Sequence, residues 1–312
     1  MPSYVTASVT AIVLEREGLQ RVTLDNGRRA YVLTQLIGPV AAGDQVVVNT
    51  TAVDLDLGTG GWDVVHWNLS RDEWSAPGGG EVLKLRYTSL QVDTGVAEES
   101  ESGAALHGKP VVACDVHSQL APVALAFAEA APGRSLSYVM TDSAALPLAL
   151  SDLVPELVGK GVLVETITCG QAFGGMREAV NLHSALTLAE GDAVVVAPGP
   201  GVVGTGSRLG YSGLEVAVVI DAATVLGGRP IVAVRYSGAD PRPRHRGRSH
   251  HTTTALEVAT HPALAPAPPE GWAGPDVGGV TTMGRTQAED PKFFRYAGAA
   301  GLAAAQLLLD NS

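Results

Sequence analysis

The fold of the larger part of the chain is decided by a short stretch at 110–118, which has the sequence Pro-Val-Val-Ala-Cys-Asp-Val-His-Ser. Its apolar first part ends abruptly at a compact group of polar side chains. Four more apolar runs end in a similar way, at 135–140, 161–167, 192–197 and 229–234. Fully apolar strands that alternate with helices are typical of a parallel sheet covered on both faces. The sequence therefore predicts a mainly parallel-sheet α/β domain.

Helices are expected between these strands and after the last of them, at 118–130, 176–188, 214–226 and 293–309. The third helix is preceded by Ser-Gly-Leu-Glu at 212–215, the pattern of a capping box in which side chains bond to the first helical amides. A Gly-Gly pair at 227–228 then ends that helix.

The first 70 residues follow a different pattern, without helical periodicity. Residues 3–14 alternate small apolar side chains with Ser and Thr, and 19–24 and 29–33 flank an Asp-Asn-Gly turn. Several short strands favour a small closed antiparallel β-barrel, because closure protects the strand edges. A further strand is predicted at 81–90.

These patterns divide the chain into three segments. We predict the β-barrel domain at 1–95, an exposed acidic linker at 96–108 and the α/β domain at 109–312. The linker carries Glu98, Glu99 and Glu101 and has few apolar side chains. A length of 312 residues also suits two domains.

Composition argues against several classes of protein. A formal net charge of −11 does not suit a general nucleic-acid or membrane-surface binder. Two cysteines are too few for a disulfide scaffold or a four-cysteine zinc module. The first residues do not have the pattern of a signal peptide, and no apolar run reaches about 18 residues. We expect a soluble cytoplasmic protein, with its oligomeric state left open.

One basic segment departs from this acidic average. Residues 235–251 have a net charge of +4 and contain five arginines and three histidines against a single aspartate: Arg235, Arg242, Arg244, Arg246, Arg248, His245, His250, His251 and Asp240. A basic island in an acidic protein suits a small anion, because the surrounding negative field repels an extended polyanion. The alternative is a solvated arginine loop without a ligand.

The predicted topology places a site at one edge of the sheet. Ligands of open parallel sheets bind outside the carboxyl ends of the strands, where polar or glycine-rich loops follow each predicted strand here. We predict a pocket for a small anionic metabolite, phosphorylated or nucleotide-like, held by glycine amides and arginines. The ligand-binding candidates are Thr141, Gly170, Gly174, Gly175, Gly199, Gly201, Gly204, Thr205, Gly206, Arg242, Arg244 and His245.

The catalytic candidates lie in the same loops: Asp115, His117, Asp142, Cys169, His250 and His251. The aspartates and histidines either bind a divalent metal of open identity or supply an acid and a base. Close to a carboxylate, His250 or His251 would have a raised pKa. Cys169, before a glycine loop predicted to lead into a helix, is either a nucleophile or a small buried residue.

A dinucleotide cofactor is not expected. The segment 199–204 matches the pattern G-x-G-x-x-G after a strand. In a dinucleotide fingerprint the third glycine lies in the following helix, whereas here 205–210 continues the loop. The glycines therefore indicate a flexible loop whose amides can approach an anion closely.

Four stretches resemble a bacterial family known as domain of unknown function 3866: 83–91, 170–181, 199–206 together with 210–213, and 240–251. The resemblance extends over nearly the whole chain and implies no activity. It is consistent with a barrel followed by an α/β domain. The family pattern has an acidic residue after Gly175, where this chain has Met176, so no acidic role is expected there.

Two classes of function remain open at this point. The first is an enzyme, a hydrolase or group transferase acting on the anionic metabolite. The second is a ligand-sensing or adaptor protein whose barrel contacts a protein or RNA partner. An RNA-binding barrel would group basic and aromatic side chains on one face, and only Arg16, Arg21, Arg28 and Arg29 hint at this. Convergence of Asp115, His117, Asp142 and His250 would favour catalysis.

Overall fold

A computed structural model describes residues 1–310 and divides into two compact units, with the boundary after Gly95. The first unit is a closed five-stranded barrel in the order β1-β2-β3-β5-β4. Its elements are β1 (Tyr4–Arg16), β2 (Leu19–Leu24), β3 (Arg29–Leu33), α1 (Thr34–Ile37), β4 (Gln45–Asn49), α2 (Thr51–Asp54) and β5 (Trp62–Asn68). The barrel is confirmed, and all of its strand pairs are antiparallel except the parallel pair β3–β5.

Alternation along the strands builds the barrel interior. Val22, Ala30, Val32, Val46 and Val48 are fully buried, while their chain neighbours face outward. The predicted Asp-Asn-Gly hairpin turn joins β2 to β3, and Gly27 has a φ of +79° there.

The strand predicted at 81–90 is much shorter than expected. Only β6 (Leu83–Lys84) forms, paired with β7 (Val92–Asp93). Leu85 and Tyr87 have positive φ angles of 52° and 60°, which end the extended conformation.

The second unit contains the predicted parallel sheet. Six strands pair in the order β11-β10-β9-β12-β8-β13, and every pair is parallel. They are β8 (Pro110–Ala113), β9 (Leu136–Thr141), β10 (Glu165–Cys169), β11 (Arg177–Ala179), β12 (Ala193–Pro198) and β13 (Arg229–Val232). An antiparallel pair, β14 (Tyr236–Ser237) and β15 (Gly247–Arg248), follows the sheet.

Helices cover both faces of the sheet. They are α3 (Leu120–Ala130), α4 (Leu153–Gly159), α5 (Leu182–Leu188), α6 (Glu215–Val225), α7 (His250–Val258) and α8 (Pro291–Leu309). Side chains of α3, α4 and α8 pack in one apolar core, and those of α5, α6 and α7 pack in another. No helix within residues 1–310 is long and apolar enough to cross a membrane.

The strand order creates a switch point between β8 and β12. The chain after β8 enters α3 on one face, and the chain after β12 enters α6 on the other. The two connections therefore diverge and leave a crevice outside the carboxyl ends of these two neighbouring strands. Open α/β sheets bind their ligands at this place.

The helix predicted at 176–188 is wrong in its first part. Residues 177–179 form the edge strand β11, and α5 begins only at Leu182. Ala179 is fully buried beside β10, and Arg177 makes an ion pair with Glu165. Tertiary pairing thus overrides the local helical pattern. The third predicted strand is also shifted, to Glu165–Cys169.

Residues 96–108 belong to the second unit. Val96 and Leu106 are buried, and Glu98 Oε1 accepts a hydrogen bond from the Val180 amide. Glu101 makes an ion pair with Arg177. Although Glu99 and Glu101 are exposed, these contacts hold the segment predicted as a linker against the α/β unit.

Candidate functional site

The Asp115 carboxylate lies at the switch point, in the loop that follows β8. Its side chain is only 4% exposed. Oδ2 is 3.3 Å from His251 Nδ1 and 3.6 Å from Arg235 Nη1. Within the described residues neither carboxylate oxygen makes a hydrogen bond with standard geometry. Burial without such bonds is costly for a carboxylate, and the Arg235 guanidinium is the cation at this distance that compensates for it.

Three histidines meet beside this carboxylate. One ring nitrogen from each of His245, His250 and His251 lies within 4.8 Å of one from each of the others. The chain brings them together because the 3-10 turn Pro243–His245 and the start of α7 lie on either side of the two-residue strand β15. We call these three residues the histidine cluster. His250 Nε2 is buried and, within the part of the chain described, makes no hydrogen bond.

Ser249 and Tyr211 hold the rings of the histidine cluster in place. The Ser249 hydroxyl caps α7 by accepting from the His251 amide at 3.2 Å, and lies 2.8 Å from His245 Nδ1. The Tyr211 ring stacks on His251 with centroids 3.7 Å apart, and its hydroxyl donates to the His251 carbonyl at 2.9 Å. Neither Ser249 nor Tyr211 is among the site residues predicted from the sequence, although Ser before a helical run is a common N-cap signal.

The electrostatics of the histidine cluster differ from the sequence prediction. Burial, reinforced by the charge of Arg235, lowers the pKa of His245 to about 3. Burial also lowers the pKa of His250, with further contributions from His251 and Arg244. The expected raised pKa of His250 is therefore wrong, because burial and neighbouring cations outweigh the Asp115 carboxylate. Near pH 7 these two rings are neutral and can accept a proton.

The loops after β8 and β12 are joined at this edge. His117 Nδ1 lies 3.0 Å from the Pro198 carbonyl, and its Nε2 lies 2.7 Å from the Ser151 hydroxyl. A Cβ at Gly213 would come within 2.8 Å of the Asp115 carbonyl, so the turn before α6 packs against Asp115. Burial lowers the pKa of His117 to about 4. His117 thus uses both nitrogens in bracing the edge and is not part of the histidine cluster.

A second polar group lies at the end of β9. Asp142 Oδ2 accepts from the Gln171 amide at 2.8 Å, and Thr141 Oγ1 donates to Glu215 Oε2 at 2.5 Å. Burial raises the pKa of Glu215. The sequence pattern predicts a capping box that includes Glu215, but Ser212 Oγ instead accepts from the Val203 amide. Glu215 is therefore a site candidate that could not be predicted from the sequence pattern.

The loop 170–175 is closed by its own contacts. Gly174 donates to Glu178 and Gly175 donates to Thr168 Oγ1, so neither amide is directed at a ligand. A Cβ at Gly170 would lie 2.3 Å from Asp142 Oδ2, so a side chain larger than that of glycine does not fit at this position. The loop leads into β11 and not into a helix. Cys169 before it is buried.

The loop 199–210 is more open. A Cβ at Gly199 would lie 2.4 Å from the Ala145 carbonyl, so Gly199 packs tightly against the loop after β9. Gly201, Gly204 and Gly206 are exposed. Thr205 Oγ1 lies 2.8 Å from Ser207 Oγ and donates to the Gly210 carbonyl at 3.0 Å, which closes the tip of the loop on itself.

The two predicted arginine ligands have different surroundings. Arg242 forms a bidentate pair with the buried Asp240, at 3.0 and 2.8 Å. Burial opposes ionisation of Asp240, but the Arg242 hydrogen bonds hold its pKa well below the usual range. Arg244 is exposed, and its Nε lies 3.3 Å from His245 Nε2. Of the two, Arg244 is the one that contacts the histidine cluster.

The molecule thus combines a small barrel with a parallel α/β unit that groups Asp115, Arg235 and three histidines at its switch point. The family model for proteins of unknown function named DUF3866 matches residues 29–271. The chain belongs to this family. A search of curated proteins found no match to the chain.

Proposed function

We propose that the α/β unit binds a small anionic metabolite in the crevice between β8 and β12 and acts on it as a hydrolase or group transferase. The observation that carries the proposal is the grouping of Arg235, Arg244 and three histidines around a single carboxylate, Asp115. Two arginines against one aspartate leave a local excess of positive charge in a protein of net charge −11. A phosphate or carboxylate group complements this excess.

The same residues supply acid–base chemistry. A carboxylate beside His251 Nδ1 can orient that imidazole. Neutral His250, with a lowered pKa, can take the proton of an attacking water or hydroxyl. Arg235 and Arg244 would then stabilise negative charge that develops on the transferred group.

The anion proposal predicts that inorganic phosphate raises the melting temperature of the full chain. A ligand at 100 times its dissociation constant stabilises the folded state by about 2.7 kcal/mol. Arg244→Ala should reduce this phosphate effect by half or more, because it removes the exposed cation beside His245.

Arg246→Ala is the matched control, since it removes the same charge from an exposed residue of the same segment. The measurement is differential scanning fluorimetry against a sulfate-free and phosphate-free buffer. Equal phosphate shifts in all three proteins would contradict a role for Arg244, and no shift in the wild type would contradict the proposal.

The barrel supports a second candidate function, contact with single-stranded RNA. Tyr31 on β3 stacks on Trp62 of β5 with ring centroids 5.1 Å apart. Arg21 lies over both rings at 5.5 and 5.6 Å, and Arg29 lies 4.6 Å from Trp62. Five-stranded Greek-key barrels bind oligonucleotides on the face of strands 2 and 3. Arg28, by contrast, is paired with Asp63 and Asp54.

This candidate predicts that Trp62→Ala weakens binding of a labelled oligouridylate by about 5-fold to 150-fold, the loss of one base stacked on an aromatic ring. Trp74→Ala is the control. The Arg71 guanidinium also lies over the Trp74 ring, at 5.0 Å, but Trp74 lies beyond the end of β5. Fluorescence anisotropy at low salt measures both. Equal oligouridylate affinities of the wild type and Trp62→Ala, or no binding by the wild type, would contradict the RNA candidate. A protein would then be the remaining partner of the barrel.

A further inference from the structure

We propose that His245, His250 and His251 form a binding site for one zinc ion. Imidazole nitrogen is a preferred zinc ligand, and three histidines with an open fourth position are typical of catalytic zinc sites. Within residues 1–310 no other group of three or more histidine, cysteine or acidic side chains has this closeness. This inference deepens the proposed function and rests on it only for the nature of the substrate. With zinc bound, His250 is a ligand, and a zinc-bound water replaces the water that His250 would otherwise activate.

The three rings are close to zinc-binding geometry. Their ligand atoms lie within 4.8 Å of one another, whereas nitrogens bound tetrahedrally to one zinc ion are about 3.3 Å apart. Small rotations of the rings close this difference, because the ring centroids are already separated by only 4.5, 4.8 and 5.1 Å. Tyr211 packs on the two rings of α7 and limits their motion.

The outer contacts of the histidine cluster favour metal binding through Nε2. The Ser249 hydroxyl lies 2.8 Å from His245 Nδ1, and His250 Nε2 is buried without a hydrogen bond in the described chain. Metal-binding histidines commonly donate their other ring N–H to a carboxylate or another acceptor, which fixes the tautomer. Asp115 Oδ2 is placed to accept from His251 Nδ1 at 3.3 Å.

Arg235 competes for the same histidine nitrogen. Its Nη1 lies 3.1 Å from His251 Nδ1, and an arginine can only donate. Without metal, His251 therefore has two alternatives at Nδ1, accepting from Arg235 or donating to Asp115. Zinc on Nε2 selects the second alternative. It also requires the exposed Arg244 to leave His245 Nε2, which frees its guanidinium for the substrate.

The charges explain how the zinc site and the anion site combine. A zinc ion, Arg235 and Arg244 around one Asp115 carboxylate leave a strong positive excess. A zinc-bound hydroxide or an anionic group of the substrate at the open position reduces it. Zinc also lowers the pKa of a bound water to about 7, which supplies a nucleophile for hydrolysis.

The test uses the full chain after removal of metals by dialysis against a chelator. Zinc is titrated in competition with a chromogenic chelator, and cobalt(II) is titrated separately to give the visible absorption bands of a tetrahedral site. We expect one equivalent of metal per chain. His250→Gln should weaken zinc binding at least 100-fold, and Asp115→Asn should weaken it 10-fold to 100-fold through the outer contact.

His183→Gln is the matched control, because His183 is an exposed histidine of the same unit, on α5. It should bind zinc as the wild type does. Equal affinity in folded His250→Gln would overturn the proposal. Absence of both stoichiometric zinc binding and the cobalt bands in the wild type would also overturn it, whether or not the variants fold.

The two proposals fail in different ways. If metal-free wild type is stabilised by phosphate but does not bind zinc, only the metal site is lost. If zinc binds but phosphate and its analogues stabilise neither the metal-free nor the zinc-loaded protein, only the anionic substrate class is lost.

Discussion

Replacing Asp290 with alanine is expected to lower the free energy of unfolding by about 3–5 kcal/mol. The Asp290 side chain is fully buried just before α8 and accepts from the Ser237 hydroxyl, the Gly238 amide and Arg285 Nε. Arg285 also lies 3.5 Å from Asp240, so the two aspartates and this arginine fasten the loop after β14. Without Asp290 the buried Ser237 hydroxyl and the partly buried Arg285 lose their acceptor, and a buried donor without a partner carries its full desolvation penalty.

Asp276→Ala is the matched control in the preceding loop. Its carboxylate is exposed and accepts from the Gly278 amide, so we expect a loss below about 1 kcal/mol. Urea unfolding followed by far-UV circular dichroism gives both values. Similar losses for the two variants would show that Asp290 does not anchor the loop. Asp290→Asn should lie between them, because the amide keeps one acceptor oxygen.

The second large effect is expected at Gly301, in the middle of α8. A Cβ added there would lie 2.1 Å from the Val123 carbonyl and 3.0 Å from the Phe127 amide of α3. Gly301→Ala must therefore push α3 and α8 apart, which costs about 1–3 kcal/mol. Alanine is otherwise the better helix former by about 1 kcal/mol, so a net loss of stability isolates the close contact.

Gly159→Ala provides the opposite expectation. Gly159 ends α4, and a Cβ there would meet nothing within 4 Å. This variant should be neutral or more stable than the wild type by up to about 1 kcal/mol. Thermal unfolding of both variants decides the matter. If Gly159→Ala destabilised the protein as much as Gly301→Ala, the close contact between α3 and α8 would not be the cause of the loss.

The sequence was sufficient for the architecture because the signals are local. Apolar runs that end at Asp115 or Pro198 indicate parallel strands, whose following loops lie at one edge of the sheet. These features follow from the order of apolar and polar residues along the chain. The edge strand Arg177–Ala179 could not be predicted because it forms by pairing with β10, a tertiary contact that sequence periodicity does not contain. Its local pattern continues into the true helix at Leu182.

The site was predictable only in part. The sequence predicted that Asp115 follows a strand of the parallel sheet, which the structure confirms, and it predicted an arginine- and histidine-rich segment as part of the same site. Which residues meet depends on how that segment folds back: Arg242 is bound by Asp240, whereas Arg235, from the end of a strand, reaches Asp115. The direction of the His250 pKa shift was wrong because burial is a tertiary property that charge counting omits.

We propose that the histidine cluster at the switch point is the ligand site of the α/β unit. The most direct test of this proposal is a phosphate titration of the full chain followed through the histidine ring signals in ¹H–¹⁵N NMR spectra. We predict that the ring signals of His245 and His250 shift in a saturable way. His183 and His261, histidines of the same unit, should stay unchanged, and Arg244→Ala should weaken the response. Saturable shifts at His183 or His261 with none in the histidine cluster would show that phosphate does not bind at the cluster.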